Sequence, residues 1–339
     1  MLAWWDAFGD AGGRRLCTIA FYEGSRLVGL APLLARPFVH PPRLRFRRLE
    51  SLASGEDEAD ETCSEHLGLI AARGAEGAVV SAFARTLRDG RFGAWDELVI
   101  PGMNDESALT ERLASELEAR RLFVAVEERA IAPWIPLPRT WDEYLAQLDP
   151  PRRERLTRWL DALERWGAPA LVRARTAEEL AEARRVLEAL HRAHHPGGGV
   201  YASARFRRFH ERVMPELLAL GALDAGWLSV RGEPIAAFYN LRWNGRAWHY
   251  QSGHARGVPE DVRVGVTLQA LLVRAAIEDG LREYDFLAGV LDYKTALSLE
   301  RRRLVTLRAA RPSLVESGRR LTSLLRRVGK GMRHRSESR

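Results

Sequence analysis

The sequence has few of the residues that would mark a secreted or metal-binding protein. Only two cysteines, Cys17 and Cys63, occur among 339 residues, which is too few for a disulfide scaffold, and neither has a second cysteine at CxxC spacing. No run of about 18 apolar residues occurs, so no transmembrane helix is predicted. Residues 1–9 lack the basic start and apolar stretch of a signal peptide. We therefore expect a protein of the reducing cytoplasm.

The excess of basic residues is confined to the C-terminus. The formal net charge is +7, and residues 311–339 alone carry nine Lys or Arg against two Glu, a local excess of +7. Residues 1–310 are therefore neutral overall, which gives no support for binding DNA or other nucleic acid. Apolar residues at helical spacing among the arginines predict an amphipathic basic helix over 313–328. Such a helix either lies on an anionic membrane surface or docks on the protein with its arginines in solvent.

The length of the chain favours two domains, because 339 residues are many for one hydrophobic core. Helical and strand-like segments alternate between residues 16 and 126, which indicates an α/β fold. Pro133, Pro136 and Pro138 then predict a break in the chain. We accordingly divide the chain into an N-terminal half, linker helices, a C-terminal half with the expected active site, and a basic tail, at residues 1–133, 134–168, 169–310 and 311–339.

Both halves contain a strand, a tight polar turn and an apolar strand in succession. This unit covers residues 16–34 in the first half and 227–241 in the second, which suggests a weak internal repeat. The chain starts within an amphipathic helix without a cap residue before Leu2, so the first copy is expected to lack its first element.

An Asn-Gly pair at 244–245 predicts a two-residue hairpin turn, because both turn positions need positive φ. Counting outward from this turn places Asn240 opposite His249 and Phe238 opposite Gln251. Side chains alternate between the two faces of a sheet, so one face carries a polar set. That set is either a site or an ordinary solvated surface, and it consists of Asn240, His249 and Gln251.

Four segments in the second half carry a family resemblance. A strand, two helices, three antiparallel strands, a helix and a strand follow one another there, and the segments fall at 232–237, 250–253, 283–289 and 293–294. In this order they resemble the CelD/BcsL acetyltransferase-like family of the GNAT superfamily, which is related to the FemABX aminoacyltransferases. The resemblance implies two tandem GNAT-like halves, each a mixed, largely antiparallel sheet flanked by helices.

The resemblance also implies a reaction. Members of this family are expected to transfer an acyl group to an amine or hydroxyl of a saccharide or lipid-linked cell-envelope precursor, in exopolysaccharide or cellulose synthesis. The implied co-substrate is acyl-CoA, such as acetyl-CoA, with no permanently bound cofactor. An aromatic residue usually follows the Tyr-Lys pair of the family, whereas Lys294 is followed here by Thr295 and Ala296.

The expected donor site is the loop before the helix that starts near residue 264. GNAT enzymes hold pyrophosphate on a Gln/Arg-x-x-Gly-x-Gly/Ala loop, through backbone N–H groups and the helix N-terminus. Residues 262–267 read Val-Arg-Val-Gly-Val-Thr, a partial match that departs at both ends, and Thr267 is a candidate helix cap. The candidate donor-binding residues are Arg263, Val264, Gly265, Val266 and Thr267.

Asp285 is the first catalytic candidate, because a carboxylate within an apolar strand needs a partner. Lys294, His249 and Arg242 are the obvious partners. Acyl transfer requires a base, donors for the oxyanion and an acid. Asp285, or His249 through water, would accept the proton of the acceptor while backbone N–H groups stabilise the oxyanion. The alternative is a structural ion pair that closes the end of the strand.

The remaining site candidates flank this strand. Tyr293 and Lys294 follow it and would contact acceptor or donor phosphate, or Tyr293 would simply pack at a pocket edge. A glycine run at 197–199, with Tyr201 beyond it, forms either a lid or a flexible link. The predicted site is thus a catalytic set and an acceptor-binding set: Asp285, His249, Tyr293 and Lys294, with Asn240, Gln251 and Tyr201.

Other interpretations concern metals and partners. His191, His194 and His195 lie together, but they lack a carboxylate on the same helical face, so no metal site is expected. Aminoacyl transfer from charged tRNA is an alternative reaction, against which the neutral charge of residues 1–310 argues. A second alternative is a catalytically silent scaffold that contacts the inner face of the membrane peripherally through the basic helix.

Overall fold

The computed structural model describes residues 1–324. The first half contains α1 (Leu2–Phe8), β1 (Arg15–Leu16), β2 (Ile19–Glu23), β3 (Arg26–Ala31), β4 (Leu33–His40), β5 (Leu44–Ser51), β6 (Ile70–Ala71), α2 (Glu76–Arg88), β7 (Glu97–Asn104), α3 (Ala108–Ala119) and β8 (Phe123–Pro136).

The second half begins with the helices α4 (Trp141–Gln147) and α5 (Pro150–Trp166). It continues with β9 (Pro169–Arg173), α6 (Ala177–His194), α7 (Ala204–Ala219), β10 (Leu223–Val230), β11 (Glu233–Trp243), β12 (Arg246–His254), α8 (Val264–Glu278), β13 (Glu283–Asp285), α9 (Asp292–Leu297) and β14 (Glu300–Ala310). A last helix, α10, is described over 314–324.

One sheet runs through both halves and confirms the mixed α/β fold. Its eleven strands lie in the order β1-β4-β5-β7-β14-β8-β13-β12-β11-β10-β9, and β2, β3 and β6 form a separate sheet. The same unit recurs in each half. An antiparallel pair of strands is followed by a helix and then by a short parallel ladder, which joins β5 to β7 in the first half and β12 to β13 in the second.

The last strand of the chain completes the sheet of the first half. β14 pairs with β7 on one side and with β8 on the other. Sequence order places residues 300–310 in the C-terminal half, whereas their hydrogen-bonded neighbours are N-terminal strands. The two halves are therefore joined by strand exchange rather than by a simple linker.

The prolines at the predicted break lie partly inside a strand. Pro133 and Pro136 are predicted to interrupt the chain, but β8 runs through both to its end. A proline lacks only the N–H, so its carbonyl still accepts a strand hydrogen bond. The Pro133 carbonyl accepts from the Phe286 N–H at 3.0 Å, and this bond ties β8 to the segment after β13.

Helices cover both faces of the C-terminal part of the sheet. On one face α5, α8 and α9 pack on the strands around Leu163, Leu268 and Phe286. On the other face α6 and α7 pack around Phe206 and Tyr239. α2 and α3 cover the first half in the same way around another apolar cluster. Each face of the C-terminal part of the sheet is therefore covered by its own set of helices.

The hairpin between β11 and β12 follows the predicted register only near its turn. Both turn residues have positive φ, 47° for Asn244 and 73° for Gly245, and Asn240 pairs with His249 as predicted. A bulge at position 250 adds one residue to β12, so the predicted pairing of Gln251 with Phe238 is wrong and Gln251 lies opposite Tyr239. Because a shift of one residue moves a side chain to the other face, Gln251 leaves the face of His249.

α10 is anchored to the sheet by one buried acid. Both carboxylate oxygens of Glu316 accept from Arg308 of β14, at 2.6 and 3.0 Å, and from Arg319 of the helix itself. Its apolar residues do not face the sheet, since Leu314 is 93% exposed and Leu321 and Leu324 are about 60% exposed. The predicted helix extends to residue 328, and its last residues lie outside the described range. Within residues 1–324 no helix is both long and apolar enough to cross a membrane.

Candidate active site

A gap opens in the sheet where β12 and β13 separate. Their parallel ladder ends at the pair Trp248 and Asp285, whereas Phe286 continues the pairing of β13 with β8 through its bond to Pro133. A cavity of about 620 Å³ lies beside this gap, between α7, the β11–β12 hairpin and the loop 62–67 of the first half. We call it the site cavity. Besides apolar residues, its wall includes the polar side chains Thr62, Ser64, Glu65, His66 and His210.

Asp285 is fully buried at the end of β13, and its main partner is an arginine. Arg302 Nη1 lies 2.6 Å from Asp285 Oδ2 and 2.8 Å from Glu283 Oε1. Burial alone would lower the pKa of Arg302, but the two carboxylates outweigh it and raise that pKa. The expected need for a partner is therefore met, although none of the three predicted partners supplies it. β14 brings Arg302 to this place, and no local sequence pattern announces that pairing.

His66 is the second partner of Asp285. Its Nε2 lies 3.4 Å from Asp285 Oδ2, and its side chain is 27% exposed at the wall of the site cavity. A partly exposed imidazole beside a buried carboxylate is the arrangement of a general base with its orienting acid. Because Nε2 is the ring nitrogen that contacts Asp285, Nδ1 of His66 is the nitrogen left to accept a proton.

The backbone around this pair adopts unusual conformations. Cys63, His66 and Leu287 have φ values of 49°, 55° and 58°, a region that non-glycine residues enter rarely, and all three line the site cavity. Such conformations cluster at functional sites, where the surrounding structure must hold them in place. One restraint is visible, since the Tyr250 hydroxyl donates to the Thr62 carbonyl at 2.9 Å.

Glu65 and Lys294 fasten the loop that follows β13. The Ala288 N–H donates to the Glu65 carboxylate at 2.8 Å, and Lys294 Nζ donates to the carbonyls of Leu287 and Ala288 at 3.1 and 2.5 Å. Burial raises the pKa of Glu65 and lowers the pKa of Lys294. Lys294, predicted to contact substrate, therefore has its ammonium directed at backbone carbonyls.

His249 lies in a buried chain of hydrogen bonds on the other face of the sheet. The Tyr284 hydroxyl donates to Gln269 Oε1 at 3.0 Å, Gln269 Nε2 donates to His249 Nε2 at 3.0 Å, and His249 Nδ1 donates to Asn240 Oδ1 at 2.9 Å. Burial and nearby Lys294 lower the pKa of His249 to about 3. Both ring nitrogens are engaged, so the imidazole has no free position from which to act as a base.

The other predicted residues are packed rather than open. The Tyr293 ring lies 6.2 Å from the ring of His249. Burial raises the pKa of the Tyr293 hydroxyl to about 12. Tyr201 is buried among the side chains between α6 and α7, with its ring 5.3 Å from Phe206. Neither Tyr201, Gln251 nor Asn240 belongs to the wall of the site cavity, so the predicted acceptor set is not brought together there.

The expected donor loop forms the N-terminus of α8. Arg263 is exposed with φ 48°, and a side chain added at Gly265 would meet nothing within 4 Å. The first amides of a helix have no acceptor within it, so those of Val264 and Gly265 fit a phosphate group beside Arg263. Thr267 does not act as a cap, because its buried hydroxyl donates to the Val264 carbonyl at 3.2 Å. The described wall of the site cavity includes no residue of this loop.

His191 and His195 lie near the glycine run. Among the side chains that the structure describes, no group of three His, Cys, Asp or Glu residues could hold a metal ion. The His191 ring instead stacks on that of His195 at 4.1 Å and meets the edge of Tyr201 at 4.8 Å.

Three residues of the site escape prediction from the sequence, namely Glu65, His66 and Arg302. Glu65 and His66 lie in a long connection, since residues 52–69 contain no strand or α-helix. A connection of that length inside a compact domain is usually functional. The third has no local signal, since its role depends on where β14 inserts.

One family model matches part of the second half. Residues 151–295 match the model of an acetyltransferase (GNAT) domain. The match contains the strand gap, Asp285 and the α8 N-terminus, whereas Glu65 and His66 lie outside it. A search of curated proteins by sequence gives no significant match.

Solved structures share the fold over nearly the whole chain. L-PGS from Bacillus licheniformis superposes with a TM-score of 0.53 at 12% identity, covering 94% of this chain and 95% of its own. The C-terminal DUF2156 domain from Agrobacterium fabrum gives 0.53 at 9% identity, over 87% and 83%. A conserved protein of unknown function from Bacteroides thetaiotaomicron gives 0.51 at 11% identity, over 92% and 88%. At these identities the likeness concerns the fold alone.

Proposed function

We propose that this protein is a GNAT-type acyltransferase that transfers an acyl group from acyl-CoA to an amine or hydroxyl of a saccharide or cell-envelope precursor. The observation that carries the proposal is the position of His66, which lies in the wall of the site cavity and 3.4 Å from the buried Asp285 at the strand gap. The CelD/BcsL likeness, with its expected place in exopolysaccharide or cellulose synthesis, forms the finer part of the same proposal.

In the proposed mechanism His66 is the general base. Its Nδ1 accepts the proton of the acceptor amine or hydroxyl, which attacks the thioester carbonyl. The new C–N or C–O bond forms, the C–S bond breaks, and the CoA thiolate leaves and takes the proton from the imidazolium. Asp285 orients the ring and stabilises its charged form, while Arg302 compensates the buried carboxylate.

Backbone amides supply the oxyanion site in this proposal. Past Trp248 the β12 backbone has no ladder with β13, and the bulge at Tyr250 lies in this stretch of β12. Bulges recur next to active sites because they re-aim the groups of one strand. N–H groups fixed in this way stabilise developing negative charge without further rearrangement.

The donor enters from the other face of the sheet in this proposal. Arg263 and the amides of Val264 and Gly265 would hold the pyrophosphate at the start of α8. Glu260 and Asp261 lie just before this loop and weaken its attraction for anions, so the dipole and amides carry more of the binding. The thioester would then lie in the strand gap, between the phosphate loop and His66.

The decisive experiment measures thiol release from acetyl-CoA with amino-sugar and hydroxyl acceptors. His66→Gln should lower kcat/KM by roughly 10²–10⁴-fold, the range of a general base. His40→Gln is a matched control, because His40 also contacts a buried carboxylate, that of Glu97 at 2.9 Å, but lies outside the site cavity. Unchanged turnover of His66→Gln would contradict the assignment.

Two outcomes would replace the proposal. Calorimetry that shows binding of charged tRNA but not of acetyl-CoA would favour the aminoacyltransferase interpretation. Binding of neither would favour the silent scaffold. The neutral charge of residues 1–310 leads us to expect acetyl-CoA binding instead.

Peripheral contact with an anionic membrane is part of the proposal. The apolar residues of α10 point away from the sheet, while its buried Glu316 holds the helix in place. The chain after residue 324 adds Lys and Arg in excess over Glu. An exposed apolar stripe with basic flanks is the pattern of a helix that lies in a membrane interface.

A further inference from the structure

The site cavity is elongated, and one wall is a stripe along a helix. Phe209, Val213, Leu217 and Leu220 line it at spacings of four, four and three residues, which keeps them on one face of α7 and its C-terminal end. Eleven residues of helix extend about 16 Å. The cavity is therefore a trough rather than a compact pocket on this side.

The opposite wall repeats the same apolar character along two strands. Tyr239, Leu241 and Trp243 alternate on β11, and Trp248 and Tyr250 extend the wall on β12. Four residues of strand span about 13 Å, which matches the helical stripe. One end of the trough meets the loop with Glu65 and His66, and the other end carries the exposed Leu220 and Trp243.

Two polar side chains along the trough already bind protein groups, whereas the buried Nδ1 of His210 has no hydrogen-bond partner. The Tyr250 hydroxyl gives its hydrogen to the Thr62 carbonyl, so it can only accept from His210 Nε2, at 3.2 Å. Arg242 Nη1 donates to Asp279 at 2.9 Å. A sugar ring placed here would bury several hydroxyls against apolar walls, and each unpaired hydroxyl is costly.

We propose that the trough binds one linear hydrocarbon chain of a substrate, with the reactive end of that substrate at His66. The volume of about 620 Å³ lies within the range of roughly 300–1,000 Å³ of ligand pockets. The chain belongs either to a lipid-linked acceptor or to a long-chain acyl donor. The placement of the reactive end at His66 rests on the proposed function, whereas binding of the hydrocarbon chain in the trough does not.

Chain binding is tested directly with 11-(dansylamino)undecanoic acid, whose fluorescence rises in apolar surroundings. We expect saturable binding, displaced by decanoic acid at concentrations where butanoic acid has no effect. Leu217→Trp fills the middle of the trough and should weaken the probe by about tenfold or more, since several methylenes lose their contacts. Leu218→Trp is the control, because the next residue of α7 lines a separate small cavity and should keep wild-type affinity within about twofold.

Failure of wild-type protein to bind the probe would overturn the proposal, and so would equal losses in the two tryptophan variants. The wild-type titration does not depend on any variant folding. Thermal melts of both variants show whether a loss of affinity reflects unfolding.

The source of the chain is identified by two activity series. In one, acyl-CoA is varied from two to about fourteen carbons with a fixed amine acceptor, and in the other acetyl-CoA is kept while the alkylamine acceptor is lengthened. A rise in kcat/KM with length in one series assigns the chain to that substrate. Activity that is flat in both series overturns the hydrocarbon inference and leaves acyl transfer intact. Absence of activity in both series contradicts the proposed function. The probe titration still tests whether the trough binds a hydrocarbon chain.

Discussion

The imidazole of His66 lies 3.4 Å from the carboxylate of Asp285, and the two residues come from different halves of the chain. Glu65 spans the same boundary through its bond with the Ala288 amide. The site is therefore assembled from both copies of the repeated unit. The first half contributes a loop that the second half lacks, and the second half contributes the strand gap.

Removal of Arg302 should destabilise the fold, because Asp285 and Glu283 would lose the cation that compensates them. Arg302→Met is expected to lower the free energy of unfolding by about 3–5 kcal/mol, measured by urea denaturation. Arg303→Met is the matched control on the same strand, since Arg303 is 63% exposed and its pair with Asp105 should contribute only about 0–1 kcal/mol. An equal loss of unfolding free energy in the two variants would show that the buried pair contributes no more to stability than the exposed pair.

Removal of the Glu65 carboxylate should loosen the loop after β13. A hydrogen bond to a charged group contributes about 1.5–3 kcal/mol, so Glu65→Ala should speed exchange of the Ala288 amide by roughly 10–100-fold. Hydrogen–deuterium exchange measures this directly. Glu61→Ala is the control, because the Glu61 side chain is 45% exposed and its ion pair with Arg129 is 3.7 Å long. Unchanged protection at Ala288 in Glu65→Ala would exclude the proposed fastening.

Stability should fall as the pH drops below 6.5. Burial lowers the pKa of His249 and of His210 to about 3, whereas a histidine in the unfolded chain titrates near 6.5. Between these values the unfolded state binds more protons, so each buried histidine removes stability as the pH falls, by about 2 kcal/mol between pH 8 and pH 5. Glu97 does not titrate there, because His40 and two arginines outweigh its burial and lower its pKa to about 2.

Urea denaturation at the two pH values tests this prediction. His210→Phe keeps an aromatic ring in the same apolar surroundings and should remove about half of the drop. His66→Gln should leave the drop in place, because both buried histidines remain. A free energy of unfolding that is equal at pH 8 and pH 5 in wild-type protein would contradict the expected neutral state of both histidines.

The exposed face of α10 should bind anionic vesicles. Replacing Leu314, Leu321 and Leu324 together by serine should reduce co-sedimentation with phosphatidylglycerol vesicles by about tenfold or more, because each leucine loses its burial in the interface. Leu27→Ser is the control, since Leu27 is 53% exposed on β3. Vesicles of phosphatidylcholine alone should bind the wild type less, because they carry no net negative charge to attract the basic residues. Equal sedimentation of all variants would remove the membrane contact from the proposal.

The local features of the fold are those that the sequence predicts best. The Asn-Gly turn and the pairing of Asn240 with His249 depend on neighbouring residues, and both appear in the structure. The bulge at Tyr250 cannot be predicted from the sequence, because the alternation of polar and apolar residues gives no sign of an extra residue in the strand. A single residue therefore changes which polar groups share a face.

The site is less predictable because its residues are distant in the chain. Asp285 is recognisable as a charge that needs a partner, but Arg302 and His66 are chosen by tertiary pairing. His249 is recognisable as a buried polar residue, whereas its complete set of hydrogen bonds with Gln269 and Asn240 is visible only in three dimensions. The residue type suggests a base in both cases, and the surroundings of His249 favour a structural role.

The position of β14 has a consequence for the order of folding during synthesis. Residues 1–136 leave the ribosome before β14, which pairs with both β7 and β8, has been made. β7 then keeps one unpaired edge until about 170 further residues have emerged, and β8 at first lacks both of its neighbours, β13 and β14. Such edges invite association with other chains. The second half can close its own hairpins meanwhile, so the copy made last is the one expected to fold first.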